Sequence, residues 1–206
     1  MQHIAFGKHR RLTARFSLVG ALAFVVAACA GQTPQTGTGA ISSAPVSGDF
    51  TLTGQSAGKI TPATGFSQSA IQQLYPGRRL QTTRIADDRH TFHALSVYDQ
   101  GLQTIAVIPA DGGSQIKAVH GLGPNVAGPN GERIGMTFSE IGQNRGRCSV
   151  GQNLWRGMPI CRARGADNVL LVFDPGPENI GSQTELPGRA ILSQSRLQRI
   201  VWQPRS

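Results

Sequence analysis

His90-Thr91-Phe92-His93-Ala94-Leu95-Ser96-Val97-Tyr98, then Asp99-Gln100-Gly101, then Leu102-Gln103-Thr104-Ile105-Ala106-Val107-Ile108-Pro109 decide the fold class. Both runs are short, rich in β-branched and aromatic residues, and joined by three turn-forming residues. That pattern predicts a β-hairpin. The same reading extends outward. Residues 79–85 form a strand before the hairpin. Residues 115–121 form one after it, across the Asp111-Gly112-Gly113 turn. Together they predict an antiparallel meander.

Further along, Gly and Pro signals make a loop of residues 121–131. Strands are expected at 147–150 and 159–163, and a central, almost wholly apolar strand at 168–174. Residues 196–202 close the chain as an alternating strand. There Leu197, Arg199 and Val201 are expected on one face, and Gln198, Ile200 and Trp202 on the other. Asp49 to Thr53 reads as a first strand. Residues 64–74 read as a short helix with Phe66, Ala70, Ile71 and Leu74 on one side, stopped by Pro76-Gly77. Thr137 and Glu140 have the spacing of a capping box, which predicts a second helical turn. The expected class is mainly β: antiparallel, sandwich-like sheets with two short helices and one disulfide.

The N-terminus carries an address. Lys8, Arg10, Arg11 and Arg15 precede the apolar stretch 16–28, and Ala27-Ala28 lead into Cys29. The stretch is shorter than the roughly 20 apolar residues of a membrane span. Its order of basic, apolar and small residues is that of an export signal. Ending at a cysteine, it resembles a bacterial lipoprotein signal, in which Cys29 becomes the acylated first residue. Ala30 at the next position permits transfer to the outer membrane. Residues 1–28 are thus read as the signal peptide and 29–48 as a lipid-anchored tether. The tether holds Gly, Thr, Ser, Pro and Gln and too little apolar surface to offset its ordering entropy. Residues 49–206 remain as one periplasm-facing domain.

Of the 20 basic residues, four precede Cys29, so 16 face 11 acidic ones beyond it, a net charge of +5 against +9 for the whole chain. An address outside the cytoplasm argues against nucleic acid as a partner. Of the three cysteines, Cys148 and Cys161 remain once Cys29 is lipidated. In an exported chain such a pair is expected to be oxidised. No His or third Cys lies in their segment to make a metal site.

Little else carries chemistry. His90 and His93 fall on opposite faces of a strand, and His120 reads as an isolated, exposed histidine. Asp87 and Asp88 sit in a turn. No Gly-x-Ser-x-Gly elbow or dinucleotide fingerprint is present. The sequence therefore predicts no catalytic residue, cofactor or metal. It favours a non-enzymatic binding or scaffolding role at the cell envelope. The alternative is a glycan- or small-molecule-binding module, which an aromatic-lined pocket would favour. One concentration of residues suggests a docking surface. Arg145, Arg147, Arg156, Arg162 and Arg164 surround Trp155 on a hairpin stapled by the cysteines. Arg and Trp are enriched at interaction hot spots. Such a surface would suit an envelope protein or an anionic glycan.

The second half resembles a known family. Gly131-Glu132-Arg133-Ile134-Gly135-Met136-Thr137-Phe138-Ser139-Glu140-Ile141 is followed by Cys148, Cys161, the apolar residues 169–173, Leu186-Pro187, and Leu197-Gln198-Arg199-Ile200-Val201-Trp202. This order is similar to that of the sigma-E (envelope-stress) regulated lipoproteins of Gram-negative bacteria, a domain-of-unknown-function family. The resemblance covers roughly residues 61–202. It implies a lipidated, β-rich periplasmic domain with one disulfide, and no catalytic residues.

The address has a direct test. Cys29→Ser should abolish acylation and release the protein from the membrane fraction, as read by fractionation and intact mass. Unchanged processing and membrane association in the variant would refute the assignment.

Overall fold

Phe50, Leu52, Ile71, Leu95, Val97, Ile105, Val119, Val169, Phe173, Leu197, Ile200 and Trp202 are drawn from the whole length of the domain. They all bury on the same face of one sheet. The computed structural model describes residues 48–86, 91–180 and 184–205, all within one unit of the chain. Cys29, the signal, nearly all of the tether, Asp87, Asp88 and His90 lie outside the described residues.

The strands are β1 (Arg79–Ala86), β2 (Thr91–Asp99), β3 (Leu102–Pro109), β4 (Ile116–Gly121), β5 (Cys148–Val150), β6 (Pro159–Ala163), β7 (Ala166–Asp174) and β8 (Arg196–Trp202). All eight join one antiparallel sheet in the order β1-β2-β3-β4-β8-β7-β6-β5. The β-dominated reading holds, as do the boundaries of β3, β6 and β8. The sandwich is corrected to a single sheet. Irregular chain, rather than a second sheet, covers its first face. Segment 48–75 does part of this, with Phe50 stacked on Tyr75 at 5.5 Å. The long connection between β4 and β5 and the segment leading into β8 do the rest. The strand expected at Asp49 to Thr53 is a single 3-10 turn, Gly48–Phe50, followed by isolated bridges at Thr51 and Leu52.

Among the described residues, three short α-helices pack on the same side. In α1 (Gln68–Leu74) the Ser67 side chain caps the Ala70 amide and Ile71 is buried. Helix α2 (Phe138–Ile141) has the expected capping box: Thr137 Oγ1 accepts from the Glu140 amide, and the Glu140 carboxylate accepts from the Thr137 amide at 2.7 Å. These bonds hold the Glu140 carboxyl below the usual range, backbone first and Thr137 hydroxyl second. Helix α3 (Arg189–Gln194) was not expected. It has no side-chain cap and buries only Leu192, so neither capping nor periodicity announces it.

One register shift reorganises β8. Val172 pairs with Arg199, but the next residue of β7, Phe173, pairs with Leu197, so Gln198 is an extra residue. A β-bulge of this kind resets the alternation. Leu197 therefore shares the first core with Ile200 and Trp202, instead of sharing a face with Arg199 and Val201. Val201 points to the second face.

Cys148 and Cys161 are direct cross-strand partners on β5 and β6 and form a disulfide, with Cα atoms 3.9 Å apart. Free-thiol labelling of the unreduced, denatured protein should find both unreactive. Cys161→Ala should cost about 2–5 kcal/mol of stability in denaturant titration. A loss below ~1 kcal/mol would leave the staple without a structural role.

Candidate functional site

The second face of the sheet is only partly covered. Ala94, Ala106, Ile108, Ala118, Val172 and Val201 form its buried floor, with Phe92, Leu122, Trp155, Ile160 and Leu170 packed against them. Small residues dominate the β2–β4 part of this floor, which leaves room above it. The resulting cavity has a volume of about 480 Å³. Phe92, Ile108, Ala118 and Val201 contribute apolar lining, and His120 and Trp155 stand at one side.

The wall is the β5–β6 loop. The disulfide fixes the base of this hairpin. Its loop closes through Gly151 N–H to Met158 O at 2.8 Å, Met158 N–H to Trp155 O at 2.9 Å, and Gly157 N–H to Gly151 O at 3.1 Å. A side chain at position 151 would meet Trp155 O at 2.2 Å, so only glycine permits this closure. The loop thereby turns Trp155 back onto the sheet. Its indole lies 5.3 Å from the His120 ring at a 48° tilt. The neighbouring Leu154 is left 47% exposed over the same cavity.

The expected docking surface takes a different form. Trp155 is half-buried rather than presented at the hairpin tip, because its ring gains more by covering the apolar floor than by facing water. Arg145 is bound within the chain, donating to the Pro187 and Leu186 carbonyls. Arg147 donates to the carbonyls of Arg162 and Ala163 and pairs with Asp167 at 2.5 Å. Arg156, Arg162 and Arg164 are exposed. Two of the arginines thus brace the hairpin and the 186–187 segment.

His120 corrects another expectation. It is 7% exposed, on β4 opposite Val201. The Nη1 of Arg199 approaches its Nδ1 at 3.5 Å. Burial first, and the Arg199 charge second, push its pKa down to about 3, so the imidazole is neutral. Burial also lowers the pKa of Arg199. Neither residue was singled out from sequence for a site. The available signals were an arginine inside the apolar Leu197–Trp202 run and a histidine in step with Ala118. Among the described residues, no group of three His, Cys, Asp or Glu side chains is placed to hold a metal ion.

An antiparallel sheet with one filled face and one hollow face under a stapled aromatic loop defines a class of β-rich module with a lateral apolar cavity. Residues 42–204 match the family described as "Protein of unknown function (DUF1131)", and the chain belongs to that family. A solved structure described as the uncharacterized protein YfeY from Escherichia coli shares the fold. It has a TM-score of 0.60 at 19% identity, covering 74% of this chain and 99% of that one. No curated protein matches.

The neutral state of His120 sets a pH dependence. Between the unfolded value of 6.5 and the folded value of about 3, the unfolded chain takes up a proton that the folded chain refuses. Stability therefore falls as pH drops through that window, by at most about 1.4 kcal/mol per pH unit. Denaturant titrations from about pH 7 down to about pH 4 should show His120→Gln gaining on the wild type. A constant difference between the two would mean that His120 takes up the proton within the fold.

Proposed function

We propose that this chain is an outer-membrane lipoprotein facing the periplasm, with a non-enzymatic binding role that it performs through the cavity on the second face of the sheet. The order of residues ending at Cys29 supports the address. The resemblance to envelope-stress regulated lipoproteins supports the setting. The observation that carries the binding role is the cavity of about 480 Å³ between the sheet floor and the Trp155 loop. Small-molecule sites fall in a range of roughly 300–1,000 Å³ and combine apolar walls with a few placed polar groups. Here the polar groups include His120, Trp155, Thr91, Gln152, Asn153 and Gln203, with Lys117 and Asp111 also in the lining. The large rings of Phe92 and Trp155 favour an apolar ligand over a flat protein partner. The lipid anchor would hold this site close to a membrane rich in such molecules.

A neutral lipophilic dye tests the reading. N-phenyl-1-naphthylamine should brighten on binding the wild-type protein. Trp155→Ala should weaken binding about tenfold, the order expected for removing a large buried contact. Ala118→Phe, which fills the floor, should abolish binding with little change in Tm. Undiminished dye binding in a folded Ala118→Phe protein would refute the cavity as the site.

A further inference from the structure

A second hollow lies beside the cavity on the same face of the sheet. It also measures about 480 Å³ and is lined by residues 146–152 with Ile160, Arg162, Asp167, Leu170 and Gln203. The β5–β6 loop runs from one to the other. Residues 149–151 line the hollow, residues 153–155 line the cavity, and Gln152 lines both. Gln203, which follows β8, also lines both. The two floors adjoin. His120 pairs with Val201, Val201 with Leu170, and Leu170 with Arg162, so one register row crosses β4, β8, β7 and β6. The first two residues of that row line the cavity and the last two line the hollow. Three strand spacings put its ends roughly 14 Å apart.

The two ends differ in chemistry. The cavity end has its apolar lining of Phe92, Ile108, Ala118 and Val201, and there Lys117 balances Asp111. The neutral His120 adds no charge. The hollow has two arginines, Arg147 and Arg162, against the single carboxylate of Asp167. Arg147 is committed to Asp167 and to the carbonyls of Arg162 and Ala163. Arg162 is exposed and supplies the surplus positive charge. The residues common to both linings, Gln152 and Gln203, are exposed as well. Each of them, like Ser149 in the hollow, carries both a hydrogen-bond donor and an acceptor.

Building on the cavity reading above, we propose that the cavity and the hollow are one trough, and that its ligand is a single-chain amphiphile with a singly negative, hydroxyl-bearing head. The tail lies on Phe92, Ile108 and Ala118, and the head sits at Arg162 and Ser149. An apolar end that runs into a polar end with one surplus positive charge calls for this polarity along the molecule. Hydroxyl groups both donate and accept, so they complement Ser149 and the two glutamines. A phosphate diester supplies the single charge, whereas a phosphate monoester would bring about −1.5 to −2. A lysophospholipid with a glycerol head has each of these features.

The test uses the polypeptide from residue 29 to 206 carrying Cys29→Ser, which retains every described residue and leaves no acyl chain to compete. Three probes share a lauroyl chain: lysophosphatidylglycerol, zwitterionic lysophosphatidylcholine and uncharged monolauroylglycerol. Each is titrated, below its aggregation concentration, against bound N-phenyl-1-naphthylamine. All three should displace the dye. Lysophosphatidylglycerol should bind at least about tenfold more tightly than the other two, the scale of a charge-assisted hydrogen bond. Arg162→Gln should bring it close to monolauroylglycerol and leave the affinity for the dye itself unchanged. Arg164→Gln, which removes an exposed arginine outside both linings, should change neither. Equal affinities of the three probes would overturn the charged head. An equal loss in Arg162→Gln and Arg164→Gln would overturn its placement in the hollow. Lysophosphatidylglycerol binding that Arg162→Gln leaves unchanged would overturn the trough and leave the cavity standing. Failure of the dye itself to bind would overturn the cavity reading and this inference with it.

Discussion

The sheet depends on the pairing of β8 with β4 on one side and β7 on the other. Strands β1 to β4 form one run of neighbours and β5 to β7 another, and in the strand order only β8 joins them. The last strand of the chain thus becomes a central strand of the fold. Its residues Ile200, Val201 and Trp202 are fully buried. Burial on this scale follows from central position, since both faces of β8 are covered. The two halves share one core because Val119, Val169 and Trp202 lie in register across the junction. Contacts so distant in sequence are slow to form. The sheet cannot close until the C-terminal residues are present.

The bulge at Gln198 is what gives this strand two roles. Without it, the alternation of β8 would set Leu197 on the same face as Arg199 and Val201, and the first core would lose Leu197. The extra residue lets Leu197 join Ile200 and Trp202 in the first core, while Arg199 turns to the opposite side. There Arg199 meets His120, which the neighbouring strand presents opposite Val201. A single inserted residue thus separates a dry core from a polar cluster on the other face.

Much of this was legible in sequence, for identifiable reasons. β3 announces itself through a β-branched run bounded by turn residues, β6 through its place beside Cys161, β8 through its alternation, and Thr137 with Glu140 announces α2 through its cap. The cysteines mark the hairpin because they are the pair left over once Cys29 is read as the end of an export signal. What stayed hidden depends on long-range contacts. Periodicity cannot show that an irregular segment, rather than a second sheet, covers the first face. It cannot show a bulge, since Gln198 is an ordinary residue for a strand. His120 read as exposed because its burial is supplied by Trp155, 35 positions away in sequence, and by the partner strand. The arginine-rich hairpin was found correctly as a stapled element. Its expected role changed because backbone carbonyls at 162, 163, 186 and 187 recruit Arg145 and Arg147.

The hairpin then has a division of labour that explains its composition. The disulfide fixes the base, where Cys148 faces Cys161. Arg147 ties that base to the β6–β7 turn through Ala163 O and Asp167. Gly151 lets the loop above fold tightly enough to lay Trp155 on the sheet. Each of these restraints acts on the loop's own geometry through its backbone and its base, and none of them takes up the Nε1 of Trp155. The hairpin's backbone bonds thus hold the Trp155 ring beside His120 and over the small residues of the second face, which is why burial of His120 depends on a loop so distant in sequence.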